Sequence, residues 1–400
     1  MKFAFVSLSG GALDYEQAST LGGSVRTIIP LVEMLTQDGH RVYWYSNRPS
    51  THYTPGDQTK VRTCYSHVRR IKDIFKEAPQ NRTFPGDDNI SKTRYRCAWT
   101  VHHATKKVSF PDIDAAWINF MDVGPENVAC ISTIALTFLK QGVPVFLFDT
   151  DMRFRYRSDY GLTGGSSSKY RFSYERFLSP KQADVLQDIV ILHQCRNVPP
   201  SKYFSNLETF LPIYDKRREL PIRKSPKRLV TYIGNDYMRR PWMMKWYALG
   251  ASGPHTYIYG DWLKKAPEWT SEYLEPYAMH IGDQVPAAKT EKFYNRSVAT
   301  IHIAPPHYAL VGHITSRTRE ATAAGCAIIT PEEMKDAEEF TAAVNIVNTP
   351  ADARETVRRL ADNYSLREET VLCQREKLET DSGLEVAYDK FFSLIKKYGR

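Results

Sequence analysis

The chain has 400 residues, 42% of them apolar and 25% charged. That is globular composition, and it excludes collagenous, mucin-like and wholly disordered chains. Lys and Arg number 54 against 45 Asp and Glu, a formal charge of +9, which suits a polyanionic partner without identifying one.

The length predicts two domains or three. No run of apolar residues approaches membrane-spanning length, so no membrane contact is expected. The opening apolar run, Met1 to Val6, stops at Ser7-Leu8-Ser9-Gly10. It is too short for an export signal and reads as a first buried strand. The six cysteines (Cys64, Cys97, Cys130, Cys195, Cys326, Cys373) form no Cys-x-x-Cys pair. Reduced thiols in a cytoplasmic protein are expected, and no zinc knuckle.

In chain order, Lys2 to Val6 is a strand, and Gly22-Gly23-Ser24 precedes apolar residues at helical spacing from Val25 to Leu35. Ser24 is the expected N-cap and Gly39 the stop. Arg41 to Tyr45 is the next strand, which completes a βαβ unit and predicts a parallel sheet. Ala115 to Phe120 (strand), Val128 to Leu139 (helix) and Val143 to Phe148 (strand) repeat the pattern. The last of these runs into Asp149-Thr150-Asp151, and ligands of open α/β sheets sit beyond the carboxyl ends of strands. Residues 151–180 interleave basic and aromatic residues around Gly164-Gly165 and read as a surface loop. Asp184 to Leu192 fits helix or strand equally.

Residues 210–226 are dense in charge and proline and read as a linker. A second α/β pattern then opens at Arg228 to Gly234. Its strands continue at Thr256 to Tyr259 and Ala299 to Ile303, and Arg317 to Ala324 reads as a helix before strand Cys326 to Ile329. An amphipathic helix, Val386 to Lys397, ends the chain. The helix start near Arg317 presents open amides and a positive dipole to an anion, and Arg317 adds a planar fork of donors. Glu320, one turn on, is placed to accept from a ribose diol. A plain amphipathic helix with an exposed Arg/Glu pair explains the same residues equally well.

The segment Arg317 to Ile329 resembles the donor-site segment of GT-B nucleotide-sugar glycosyltransferases. Retaining members carry a further glutamate upstream, and that position falls on Gly312 here. Asp149-Thr150-Asp151-Met152-Arg153, at the end of an apolar strand, is similar to the inverting DNA β-glucosyltransferases of T-even bacteriophages. Phe210-Leu211-Pro212-Ile213, Tyr232-Ile233-Gly234, Tyr259-Gly260 and the final amphipathic helix resemble that family in the same order.

The resemblance implies α/β class and GT-B architecture, with two Rossmann-like domains facing across a cleft. Residues 1–210 would be the acceptor (DNA)-binding domain, 211–227 the linker, 228–380 the nucleotide-sugar domain and 381–400 a helix returning to the first domain. It implies an inverting enzyme that moves a sugar from a UDP-sugar to the hydroxyl of a 5-hydroxymethylpyrimidine, foremost 5-hydroxymethylcytosine, in double-stranded phage DNA. The expected setting is a monomer in the cytoplasm of an infected host.

Sugar transfer needs one base to take the acceptor proton. The resemblance puts Asp151 there. Asp149 is the rival, because alternate residues of a strand point to one face and periodicity does not separate the two. Donor-binding residues would be Gly23, Ser24, Gly234, Arg239, Arg240, Gly260, Arg317 and Glu320. Mg2+ or Mn2+ would bridge the diphosphate through substrate oxygens, with no protein metal site. The family holds its sugar with a glutamate whose place falls near Arg26-Thr27, so glucose and a pentose such as arabinose are both open.

Arg153, Phe154, Arg155, Tyr156, Lys169 and Arg171 are the expected DNA contacts. The basic side chains meet phosphates, and the rings stack where a base leaves the duplex. His302 alternates with Ile301 and Ile303 and reads as a structural histidine. Two alternatives stay open: a bacterial-type GT-B enzyme with a lipid or polysaccharide acceptor, and a non-catalytic DNA-binding protein on the same scaffold.

Overall fold

The computed structural model describes residues 1–7, 23–46, 69–70, 112–120, 134–149, 187–198, 200, 204–235, 239–286 and 289–399. Two parallel sheets organise them. The first contains β1 (Lys2–Ser7), β2 (Arg41–Ser46), β3 (Arg69–Arg70), β4 (Ala115–Phe120), β5 (Val145–Asp149), β6 (Val190–His193) and β7 (Leu207–Thr209). Its strand order is β3-β2-β1-β4-β5-β6-β7. The second contains β8 (Arg228–Ile233), β9 (Thr256–Tyr259), β10 (His280–Gly282), β11 (Ser297–Ile301), β12 (Ala327–Pro331) and β13 (Ile346–Val347), in the order β10-β9-β8-β11-β12-β13.

In each sheet the order reverses between the first and fourth strands, β1/β4 and β8/β11. Helices on opposite faces diverge there, and a crevice opens beyond the carboxyl ends. Strands β5, β11 and β12 are covered on both faces: every residue in them is buried. The segment 184–192, ambiguous in sequence, is β6 from Val190 onward.

Helix α1 (Gly23–Gln37) begins one residue before the expected cap, Ser24, and Gly39 ends it at φ +82°. Residues 134–140 are helical (α2), and the earlier part of the predicted 128–139 helix lies outside the described residues. In the second lobe, α3 (Pro267–Tyr273), α4 (Thr290–Tyr294), α5 (Ser316–Ala323), α6 (Pro350–Asp362) and α7 (Tyr364–Ser382) flank the sheet. Thr349 and Asp352 form a capping box around Pro350, so the sequence Thr-Pro-Ala-Asp starts α6 unambiguously.

The last helix, α8 (Leu384–Tyr398), packs on the first sheet. Phe391 is 1% exposed among Phe3, Phe5 and Trp117. Glu208 at the end of the first sheet accepts from Lys397 at 2.7 Å and Tyr398 at 3.0 Å.

The chain therefore crosses between lobes twice, after β7 and at Gly383. The two crossings touch: Tyr214 donates its amide to Ser382 O at 2.7 Å. The charged stretch that reads as a linker is stitched to the second lobe by three arginines. Arg319 donates to Ile213 O (2.6 Å), Arg375 to Leu220 O (2.7 Å) and Arg367 to Arg223 O (2.7 Å). Backbone carbonyls without a ladder partner thus obtain charge-assisted donors.

Candidate functional site

The crevice between β8 and β11 is where the second sheet opens to a ligand, and Arg317 spans it. Its Nε donates to Ile233 O at 2.9 Å, its Nη1 to Ile303 O at 3.3 Å and its Nη2 to Tyr232 Oη at 3.2 Å. The guanidinium lies 4.4 Å from the Tyr232 ring centroid. Among the described residues these contacts use three of its five N–H donors and leave two Nη hydrogens for a ligand. Tyr232 is held edge-on by Tyr247 at 5.4 Å, and Tyr247 Oη donates to Ile301 O at 2.9 Å. An aromatic shelf, buried on both counts, therefore aims the fork.

Glycine at 234 is a packing requirement. A Cβ there would strike the Arg317 guanidinium and lie 2.8 Å from Tyr232 Oη, and a Cβ on Gly260 would strike Gly234 O. The three residues interlock at the carboxyl ends of β8 and β9. Asn235 extends the junction: its Oδ1 accepts from Gln284 Nε2 at 3.3 Å and from Asp261 N at 3.4 Å.

Arg317 is the second residue of α5, whose N-terminus has no side-chain cap. The helix dipole and the guanidinium place positive potential at one point. Arg239 adds to it. It is 8% exposed, its Nη1 donates to Asn235 O at 3.3 Å, and its charge acts on His302. Arg240 is exposed and lies over the Trp269 ring at 5.3 Å, outside this cluster. Glu320 is buried at 6% one turn into α5, with its charge acting on Arg317 and Tyr294.

Burial, and then the charges of Arg317, Arg239 and His313, push His302 down to about 3. The ring is neutral at any physiological pH, with Nδ1 against Thr318 Oγ1 at 3.4 Å. A cationic His302 would add to the local positive charge, so the neutral ring lets two arginines share the site.

Gly312, where a retaining enzyme's further glutamate would fall, sits at φ +64° with Asp336 Oδ2 2.8 Å from a built Cβ. The backbone turn excludes a side chain there. Among the described residues no group of three or more His, Cys, Asp or Glu could hold a metal ion. A divalent ion accompanying the donor would rest on phosphate oxygens.

The first sheet contributes its own carboxyl edge. Asp149 ends β5 with 0% exposure, beside Phe120 of β4 in register. Its side chain has no accessible surface. Beyond β6, Gln194 O accepts from Ile314 N at 2.8 Å and Asn197 Nδ2 donates to Asp336 at 2.9 Å. The edge that carries Asp149 is thereby docked against the turn that leads into α5.

Asp151, Arg153, Phe154, Arg155, Tyr156, Lys169 and Arg171 lie outside the described residues. Gly23 and Ser24 open α1, and the Ser24 side chain is likewise outside them. Sequence reasoning missed the Tyr232 shelf, the neutral His302 and the Gln194–Ile314 contact. Only the tyrosine directly before Ile233-Gly234 left a trace in the pattern.

A family profile described as glycosyl transferase-like matches residues 239–383. No curated protein matches in sequence. Among solved structures, a variant of phage T4 β-glucosyltransferase in complex with UDP-glucose is similar at TM-score 0.60 and 15% identity, over 100% of this chain and 99% of that one. A glycosyltransferase from Rickettsia africae gives 0.55 and 10%, over 99% and 98%. HepE of Anabaena in complex with UDP gives 0.51 and 10%, over 99% and 100%. The chain resembles the T4 phage enzyme over its full length, and its fold is GT-B.

Proposed function

We propose that the protein is an inverting glycosyltransferase that takes a sugar from a UDP-sugar and places it on the hydroxymethyl group of a modified pyrimidine in DNA, foremost 5-hydroxymethylcytosine. The observation that carries this reading is Arg317, bonded to both sides of the β8/β11 crevice at an uncapped helix start with two donors to spare. The full-length likeness to an enzyme solved with UDP-glucose supports the donor, and the basic-aromatic stretch after Asp151 supports the acceptor. Residues 1–210 would carry the acceptor and 228–380 the donor, with 211–227 joining them and 381–400 closing the first domain.

Asp151 takes the proton of the acceptor hydroxyl as its oxygen bonds to the anomeric carbon. The bond from that carbon to the β-phosphate oxygen breaks, and its electron pair leaves on UDP. One base on the face opposite the leaving group inverts the centre. Arg317, Arg239 and the α5 N-terminus hold the growing charge on the diphosphate. Glu320 accepts from the ribose diol. Gly234 and Gly260 bring the backbone close to the donor, and the start of α1 at Gly23-Ser24 faces the sugar. The acceptor base leaves the duplex to reach Asp151, with Phe154 or Tyr156 filling the gap and Arg153, Arg155, Lys169 and Arg171 on phosphates.

The test is Asp151→Asn, assayed for transfer and, by calorimetry, for UDP-sugar binding. The reading expects transfer to fall at least about a thousandfold with donor affinity within about threefold of the parent, at the scale of losing a general base. Retained turnover removes Asp151 from the mechanism.

A further inference from the structure

The second sheet is covered unevenly. One face of β8 and β9 packs Val230, Tyr232 and Ile258 against Met243, Trp246 and Trp262. On the other face, the five-residue α4 sets Phe293 edge-on against Tyr259 at 4.9 Å. Beyond it Tyr257 and Tyr259 of β9 are half-buried, and His280 on the edge strand β10 is exposed. Parallel sheets ordinarily bury both faces, so half-buried rings on β9 beside an exposed edge strand stand out among the described residues.

The rings are arranged around one cation. The Arg228 guanidinium lies 4.2 Å from the Tyr257 centroid, 5.0 Å from Phe293 and 5.3 Å from Tyr259. Its Nη1 is buried with no hydrogen-bond partner. Tyr257 stacks on His280 at 4.5 Å and 15°, so the stack ends in an exposed imidazole. Lys227 and Lys292 directly precede Arg228 and Phe293 in the chain, Arg296 O accepts from Arg228 N at 3.0 Å, and all three residues are exposed. The neighbouring acids are committed elsewhere, Glu291 to Arg218 at 2.6 Å and Asp283 to Lys264 at 3.0 Å.

We propose that this face binds single-stranded nucleic acid, with an unpaired base continuing the stack on His280 and the phosphates on Arg296, Lys227 and Lys292. Planar rings edged by cations suit a polyanion that carries π-faces. The surface shares no residue with the acceptor-binding stretch proposed for the first lobe, and it does not depend on the donor site.

The test is photo-crosslinking of the full chain to a single-stranded oligonucleotide carrying 5-iodouracil, with adducts mapped by mass spectrometry. It is paired with anisotropy titrations of His280→Ala/Arg296→Ser, two exposed positions. The expected result is adducts on Tyr257, Tyr259 or His280, and about a tenfold loss of single-strand affinity in the double variant, at the scale of one stacked base. Thermal stabilisation by UDP should be unchanged in that variant. Adducts confined to the first lobe would overturn the proposal. So would an equal loss of affinity for a heparin fragment, which has charge but no bases.

Discussion

Arg317 illustrates how a residue read as an exposed phosphate contact does two things at once. Its bonds to Ile233 and Ile303 tie the two sides of the crevice together, and in the proposed reading its remaining donors would meet the diphosphate. Arg317→Ala should therefore lower stability by about 1–3 kcal/mol for each carbonyl left without a donor. Arg317→Lys should restore charge without the fork. Urea titration together with UDP calorimetry reads both: UDP affinity should fall in each variant, and a lysine variant with parental affinity would contradict the geometry. His302 makes a pH prediction. Its folded-state pKa lies below the unfolded value of 6.5, so the stability it contributes is present above pH 6.5 and is lost as pH falls toward about 3. His302→Gln removes that dependence. The stability difference between parent and variant should shift by about 1.4 kcal/mol per pH unit across that window, measured by urea unfolding at several pH values. A constant difference would mean that the ring is not neutral and enclosed.

At the level of elements, α8 is the structural keystone of the first lobe. Phe391 stacks with Phe5 at 6.3 Å and meets Phe3 edge-on at 5.2 Å. Phe391→Ala should cost about 3–5 kcal/mol and lower the unfolding midpoint of the first lobe, which denaturation followed by tryptophan fluorescence would report. Such elements were legible to different degrees. Strands such as β1, β5 and β11 announce themselves as apolar runs, and α8 by its stripe of Tyr388, Phe391, Phe392 and Ile395. The short strands β7, β10 and β13 did not, because two or three residues carry no period. The linker was visible as charge and proline. Its attachment was not, because the arginines that hold it come from α5 and α7; Arg319 and Ile213 are 106 residues apart. Strand alternation would put Asp149 and Asp151 on one face, so the sequence pattern does not rank them; the full burial of Asp149 is a tertiary property that no local pattern carries. Gly312 shows the converse: a missing acid in the sequence turns out to be a left-handed turn in the backbone.

For the molecule as a whole, the two carboxyl edges face each other through the Gln194–Ile314 contact, with Arg196 bridging to Glu339 at 2.8 Å and to Asp381. In the proposed reading, an acceptor on one edge and a donor on the other would meet at that seam. A duplex held by basic side chains should bind with an affinity that falls steeply as salt rises, because counterions are released. Filter binding between low and physiological salt would show it, and a flat response would favour a lipid or polysaccharide acceptor. The most direct measurement is of the product. The protein would be incubated with duplex DNA containing 5-hydroxymethylcytosine and a panel of UDP-sugars, and the digested nucleosides weighed. The account predicts 5-hydroxymethyl-2′-deoxycytidine heavier by one hexosyl or pentosyl residue, with unmodified deoxycytidine untouched. Unchanged nucleosides with every donor, from protein that binds UDP, would contradict it.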